Sequence, residues 1–499
     1  MTATRKKLLI GERAVLAVII CVGVTFSNFA FAQQSPQSFT KELDDYVAAT
    51  VRDWEIPGVA VAVVKDGKVI AARGYGVREM GKPETIDENT IFDAASLTKS
   101  FTVAAIASLV DEKKMSWDDP VKRYIPTIEF PDPYLTANIT MRDLLCHRTG
   151  VRATNSAWYF TNVNRSQLLG LIKNMEIAAR AAGTTWEDLI TQRIIVPLGM
   201  KRTTAVFALA PAMGNIASGH ALVNGVQRVT PREGTQRDMT APAGAIQSSA
   251  ADLATWMIFQ LGDGTFQGKR ILSSAAMNEM HSPQIVIPTN AAFRLARQIK
   301  YFAAYGLGWQ VFDYRGNRML WHSGTGDGQT AFLVLLPDSG LGVVVLINSW
   351  KAGPALNNAI ASRIMDYYLG LTTRDYSAES RESWKRSMQQ QVEAVRKFEA
   401  SQLKGTTPTL PLSQYAGVYR DKLGLDVRVW LEGDTLRLQY GGGEIADLTH
   451  WHRDTFWARW QNPLHAEQRS TFVQFNMSPQ GLIAEIQMDL SGDRITAHR

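Results

Sequence analysis

The chain has 499 residues, 45% of them hydrophobic and 20% charged, and a formal net charge of +6. That length allows two or three domains, and that composition is ordinary for a globular protein. The small positive excess excludes the electrostatic footprint of a nucleic-acid binder.

The N-terminus reads as a targeting segment. Arg5, Lys6, Lys7 and Arg13 supply positive charge, Ala14 to Phe26 is an apolar run, and Ala30-Phe31-Ala32 is a small-x-small cleavage pattern. The run is short for a membrane span. It is read as a secretory signal cut after Ala32, with an uncleaved anchor as the alternative. Cys21 follows the bulky Ile20, which disfavours lipidation. Cleavage leaves 49 Lys and Arg against 46 Asp and Glu, and one cysteine, Cys146. An intramolecular disulfide is then impossible. Cys146 lies in an apolar L-L-C-H run and is expected to be buried packing. The mature chain is expected to be secreted or periplasmic, with no stable membrane span.

Thr40 to Trp54 suits an amphipathic helix with Leu43, Val47 and Val51 on one face. Val59–Val64 and Val69–Tyr75, joined at Asp66-Gly67, read as a β-hairpin. An apolar helix follows from Ser96. Thr140 opens a capped helix that Thr149-Gly150 closes. Ser166–Ala182 and Trp186–Ile194 read as helix, the second ending at Pro197-Leu198-Gly199-Met200. Residues 201–245 read as irregular. Ser249 opens a helix through Leu261. Strands are expected after Tyr305-Gly306-Leu307-Gly308-Trp309, over residues 318–323, and over Ala331–Leu336 and Gly342–Asn348, before a final helix at Ala355–Leu369. Strand pairs thus bracket helices over residues 40–370. The economical arrangement is α+β: an antiparallel sheet built from both ends, with a helical lobe inserted. Residues 377–404 form a charged helical connector. Beyond them, Val418-Tyr419, Leu425–Leu431, Thr435–Tyr440, Trp451–Trp460, Thr471–Asn476 and Leu482–Asp489 alternate at period two, as a small all-β barrel or sandwich does.

Ser96 and Lys99 stand three apart at a helix start, on one face. A serine nucleophile needs a nearby base and donors for a developing oxyanion, and a helix N-terminus offers such donors. S-x-x-K occurs three times, at Ser38, Ser96 and Ser401, and only the middle one begins a strongly apolar helix. An ordinary N-cap serine is the other reading.

Trp321-His322-Ser323-Gly324-Thr325-Gly326 gives this pair its context. It resembles the H-x-G variant of the K-T-G strand in serine β-lactamases and penicillin-recognising enzymes. Leu144–Gly150, Pro197–Met200, Ala241-Pro242-Ala243-Gly244, Tyr305–Trp309 and the Pro337–Asn348 hairpin are similar to the same superfamily. Their order resembles the class C β-lactamase-like branch, which includes D-amino-acid peptidases, DD-peptidases and lactamase-like carboxylesterases. The C-terminal unit resembles a small lipocalin-like barrel. The resemblance implies a β-lactamase/transpeptidase-like fold and an acyl-enzyme on Ser96. Lys99 would help deprotonate Ser96 and stabilise its anion. His322 and Gly324 would line the strand edge, and the backbone N–H groups of Ser96 and Thr325 would form the oxyanion hole. Outside that context His322 reads as a surface strand histidine.

One element of that pattern is absent. The family carries Y-x-N, whose Tyr is its proposed base, and this chain contains neither Y-x-N nor S-x-N. The segment that would carry it is deleted near Ala178–Ala181. Tyr159, spaced Y-x-x-N with Asn162, is the nearest substitute, and a packed aromatic is its other reading. No metal-ligand spacing or nucleotide fingerprint stands out, so no metal and no cofactor are expected.

The expected organisation is a signal peptide at 1–32, a serine hydrolase domain at 33–370, a helical linker at 371–407 and the β domain at 408–499. The expected function is an exported serine hydrolase acting on an ester or amide, peptide or β-lactam-like, with a small-molecule or peptide substrate as partner. The alternatives are a β-lactamase-fold binding or sensing protein that lacks turnover, and a poorly folded deletion product.

Overall fold

The computed structural model describes residues 36–130, 132–150, 156, 160–161, 181–223, 225–232, 240–290, 299, 301–350, 352–372, 374–465 and 471–499. The signal segment, most of the helix expected at Ser166–Ala182, and Tyr159 with Asn162 lie outside them. Among the described residues no helix is long and apolar enough to cross a membrane.

α1 (Pro36–Asp53) buries Leu43 and Val47. β1 (Gly58–Lys65) and β2 (Lys68–Gly76) form the expected hairpin. Asp66 and Gly67 turn it with φ of 49° and 72°, the left-handed pair that a two-residue hairpin turn needs. β1 is apolar at every position from Val59 to Val64 because both its faces are covered. Ala60, Ala62 and Val64 enter one core, and Val59, Val61 and Val63 enter the other.

β3 (Phe92–Asp93) leads into a 3-10 turn at Ala95–Leu97 and then α2 (Thr98–Asp111). α2 is buried nearly all round, which explains its unbroken apolar sequence. α3 (Pro133–Asn138) precedes α4 (Met141–Leu145). α4 starts on the expected cap: Thr140 Oγ1 accepts the Asp143 N–H, and Asp143 accepts the Thr140 N–H in return. Its end corrects the sequence reading. The helix stops at Cys146, and His147 takes the left-handed conformation with φ of 60°, two residues ahead of Thr149-Gly150.

α5 (Trp186–Ile190) runs through a π turn at Thr191–Ile195 into a last helical turn at Val196–Leu198, ended by Gly199 at φ 65°. Pro197 has no N–H to give its preceding turn, and the wider turn sits just before it. Residues 201–245 are more regular than expected. They hold a 3-10 turn at Phe207–Met213, the hairpin β4 (His220–Val223) and β5 (Val226–Val229), and α6 (Ala241–Gly244). The support is non-local, which is why composition hid it: buried His220 pairs with the Asn348 carbonyl and accepts the Met80 N–H.

β6 (Gln247–Ser248) pairs with β3. Ser249 caps α7 (Ala250–Leu261), as expected. After the short hairpin β7 (Thr265–Phe266) and β8 (Lys269–Arg270) come α8 (Ser274–His281) and β9 (Ile285–Val286). Then follow β10 (Ala303–Tyr305), β11 (Gln310–Tyr314), β12 (Asn317–Gly326), β13 (Gln329–Leu336), β14 (Leu341–Ile347) and α9 (Gly353–Tyr368). The main sheet has eight strands in the order β2-β1-β14-β13-β12-β11-β10-β9, antiparallel at every junction. The N-terminal hairpin therefore forms one edge of the sheet, with β1 joined to the C-terminal strand β14, as the bracketing pattern implied. α2 and α7 pack on one face, α1 and α9 on the other.

α10 (Tyr376–Ala400) is the charged connector. Its start is pinned to the sheet domain. Trp54 Nε1 donates to Ser377 Oγ at 3.0 Å. The fully buried Asp366 accepts from Tyr314 at 2.7 Å and Arg315 at 3.1 Å.

The C-terminal unit is a closed barrel of eight antiparallel strands. They are β15 (Gly417–Asp421), β16 (Asp426–Glu432), β17 (Thr435–Tyr440), β18 (Ile445–His452), β19 (Thr455–Trp460), β20 (Phe472–Met477), β21 (Ile483–Leu490) and β22 (Asp493–His498). The six expected runs fell short by two. Arg453, at φ 49°, breaks the Trp451–Trp460 run into separate strands, and β22 closes the ring.

A piece of the sheet domain enters this barrel. Phe160 is fully buried in the barrel core, against Trp460 at 4.7 Å and His465 at 4.5 Å between ring centroids. Its carbonyl accepts the Glu444 N–H at 3.1 Å, and the Ser156 N–H donates to Asp493 at 2.8 Å. The β17–β18 turn runs Gly441-Gly442-Gly443. A Cβ on Gly443 would lie 2.4 Å from the Phe160 oxygen, so only glycine admits the segment.

Candidate active site

Ser96 lies in the 3-10 turn that opens α2, after Ala95 at φ 46°. That left-handed residue is held by Asp93, whose carboxylate accepts the Ala95 N–H at 2.8 Å. The buried Gln247 amide donates to the same oxygen at 3.0 Å. Gln329 on β13 accepts the Asp93 N–H at 3.1 Å and donates to the Ala217 carbonyl at 3.0 Å. Three remote segments, at Ala217, Gln247 and Gln329, therefore fix one strained turn through Asp93.

Ser96 does not cap the helix, since Leu97 occupies that position without a side-chain bond. Its hydroxyl instead lies 2.8 Å from Lys99 Nζ. The i, i+3 spacing brings the two together as the sequence implied. Lys99 also reaches the Ala243 carbonyl at 3.1 Å. α6 is docked on α2 for that purpose: Thr98 Oγ1 accepts the Ile246 N–H, and Thr102 Oγ1 donates to the Pro242 carbonyl.

β12 borders the serine. Its pairing with β11 ends at Trp321, so residues 322–326 run on alongside β13 alone. Gly324 lies against the Ser96 turn. A Cβ there would sit 2.4 Å from the Ala94 oxygen, 3.0 Å from Ala95 Cβ and 3.1 Å from Ser96 N. Glycine is what lets the strand approach so closely. Thr325 follows it, exposed and paired with Thr330 on β13.

His322 is not a surface residue. It is 7% exposed, with Nδ1 at 2.7 Å from the Ser323 carbonyl and Nε2 at 2.9 Å from the Tyr305 hydroxyl. Burial first, then the Lys99 charge and His147, push its proton affinity down to about 3. It is a neutral ring with both nitrogens engaged. Burial likewise raises the Tyr305 hydroxyl far above its ordinary value, so it stays protonated. The His147 ring stands edge-on to Tyr305 with centroids 4.9 Å apart. Part of His147 reaches solvent, yet the protein around it, and then the Lys99 charge, lower its proton affinity below 6.5.

Ser96, Lys99, His322, Gly324 and Thr325 are thus brought to one end of β12. Tyr159 lies outside the described residues. Asp93, Gln247 and Gln329 were missed, because their roles arise from pairing with backbone far away in sequence. Tyr305 and His147 stood in family-like stretches but carried no assigned role. Cys146 is buried, as expected.

A family model described as Beta-lactamase matches residues 43–364, and one described as a domain of unknown function, DUF3471, matches residues 401–498. The unguisins hydrolase ungD' of Aspergillus campestris is 26% identical over 428 residues, covering 78% of this chain and 77% of that one. Protein flp of Staphylococcus aureus strain MW2 is 25% identical, covering 62% and 63%. Among solved structures, the octameric penicillin-binding protein homologue from Pyrococcus abyssi superposes with a TM-score of 0.59 at 20% identity, over 92% of this chain and 99% of that one. A class C beta lactamase from Rhodobacter sphaeroides gives 0.51 at 19% identity, over 65% and 99%. At those identities the two structures speak for the fold.

Proposed function

The chain belongs to the beta-lactamase family, and on that footing we propose that it is an exported serine hydrolase that cleaves an ester or amide through an acyl-enzyme on Ser96. The observation that carries this reading is the 2.8 Å contact between Lys99 Nζ and Ser96 Oγ, with Gly324 against the same turn. Ser96 Oγ attacks the acyl carbon, and Lys99 steadies the oxygen as it gains charge. The backbone N–H groups of Ser96 and Thr325 receive the oxyanion. His322, held neutral, shapes the strand edge.

Esters with good leaving groups are the preferred substrates, since such groups need less proton assistance on departure and the Y-x-N tyrosine is missing. The unguisins hydrolase relative supports hydrolysis as the reaction class. The signal-like N-terminus supports action outside the cytoplasm.

A fluorophosphonate probe or a labelled penicillin tests the reading. The purified protein should label at Ser96 and turn over a simple aryl ester, and Ser96→Ala should lose both. Labelling that persists unchanged in Ser96→Ala rejects it. Binding of labelled penicillin without ester turnover favours the binding or sensing role instead.

A further inference from the structure

An oxyanion is stabilised best by donors already in place when its charge develops. The two N–H groups assigned that task stand on separate elements. Ser96 follows the left-handed Ala95 in a 3-10 turn, and Thr325 lies near the end of β12, two residues before the turn at Asp327-Gly328. Gly324 brings the two elements into contact at one point. Gln329 on β13 adds one tie between them by accepting the Asp93 N–H. A second tie comes from the segment that leaves β5.

That segment is Thr230-Pro231-Arg232. Thr230, which is buried, holds the end of β12. Its hydroxyl donates to the Asp327 carbonyl at 2.7 Å, and its N–H donates to the Gly219 carbonyl at 2.9 Å. The approach is tight. A Cβ on Gly328 would lie 2.4 Å from Thr230 Oγ1, and one on Gly219 would lie 1.7 Å from the Asp327 oxygen. Pro231 stiffens the step to Arg232, which holds the other element. Both terminal nitrogens of Arg232 donate to Gln247 Oε1 at 3.3 Å, and Nη2 also donates to the Phe207 carbonyl at 3.0 Å. The guanidinium carbon lies 3.9 Å from the centre of the Phe207 ring. Arginine offers donors only, so the Gln247 amide turns its oxygen to Arg232 and its NH2 to Asp93. That NH2 meets, at 3.0 Å, the carboxylate oxygen that accepts the Ala95 N–H. Rotated by half a turn, the amide would set its own oxygen against the carboxylate.

We propose that Thr230 and Arg232 are positioning residues that together set the separation of the Ser96 and Thr325 N–H groups. This rests on the serine hydrolase reading above. Thr230 fixes the end of β12 that carries Thr325. Arg232 fixes, through Gln247 and Asp93, the turn that carries Ser96. Each acts through other residues and not on the substrate. Their effect falls on the transition state, where the carbonyl oxygen carries the most charge. The two form one device, because releasing either end frees the separation.

Thr230→Val keeps the side-chain shape and removes the hydroxyl. Arg232→Met keeps a stem on Phe207 and removes the planar fork. Active sites are counted by fluorophosphonate labelling carried to completion. Per labelled site, kcat for an aryl ester should fall about tenfold in each variant with KM unchanged. Affinity for an arylboronic acid, which adds to serine as a tetrahedral anion, should fall by the same factor. Thr230→Ser should restore both values, and Arg232→Lys should not. The double variant should lose about as much as either single one, not the product of the two losses. The two threonine variants carry the test by themselves if Arg232→Met does not fold. A lower melting temperature and fewer active sites, with kcat per site unchanged, would show a role in stability alone and overturn the proposal. A raised KM with kcat unchanged, or losses that multiply, overturns it too. The serine hydrolase reading stands in each of those cases. Failure of Ser96 to label in the unmutated chain overturns both.

Discussion

Asp93 accepts the backbone N–H of Ala95 at 2.8 Å and thereby holds the left-handed residue that presents Ser96. The same carboxylate oxygen receives the Gln247 amide. Asp93→Ala strands two buried donors at once. The expected cost is about 2–3 kcal/mol in urea denaturation, the scale of unsatisfied buried groups. Probe labelling of Ser96 should slow at least tenfold. Asp93→Asn retains an accepting oxygen and should lose less of both.

Gly324→Ala places a methyl group 2.4 Å from the Ala94 carbonyl oxygen, a backbone atom that cannot swing aside. β12 must therefore withdraw from the Ser96 turn. Labelling and ester turnover should fall at least tenfold, with a drop in melting temperature. Unchanged labelling would mean that the strand does not border the reacting carbonyl.

The sheet domain was largely legible from the chain, for physical reasons that can be named. Val59 to Val64 announced a strand by its unbroken apolar run, and Ser249 and Thr140 announced helix starts through bonds made within four residues. The Ser96–Lys99 pair is local in the same sense. Residues that act across the fold gave no such signal. Asp93, Gln247 and Gln329 form one bracket from three segments, and each alone reads as an ordinary polar residue. The end of α4 was hidden for another reason: Thr149-Gly150 offered a better helix stop, and the chain stops earlier on a histidine.

Asp366 is fully buried and accepts from Tyr314 and Arg315. Asp366→Ala leaves the Arg315 guanidinium and the Tyr314 hydroxyl without it. The expected cost is about 3–5 kcal/mol, the usual result of removing one partner of a buried pair. Proteolysis should then cut near Tyr376, where the connector helix begins.

His465 should give the barrel a measurable pH response. Burial lowers its proton affinity from 6.5 to about 4. The unfolded chain therefore binds a proton that the folded barrel refuses. Its contribution to stability is complete above 6.5 and is lost as pH falls toward 4, at about 1.4 kcal/mol per pH unit. In His465→Gln the plot of melting temperature against pH should flatten over that window. An unaltered slope would assign the response to the other histidines whose proton affinities burial lowers, His147, His220, His281 and His322.

The seat of Phe160 in the barrel bears on how this protein should be cut for study. Ser156 at the barrel is nine positions along the chain from His147 beside Tyr305, a span of about 30 Å at full extension. A version ending after the connector helix would turn an aromatic ring, dry in the full chain, out into water. Such a fragment would tend to aggregate, and its silence in an assay would say little about Ser96. The C-terminal unit is best regarded as a socket for Phe160 of the sheet domain, so chimaeras should exchange Ser156–Thr161 together with the barrel that receives Phe160.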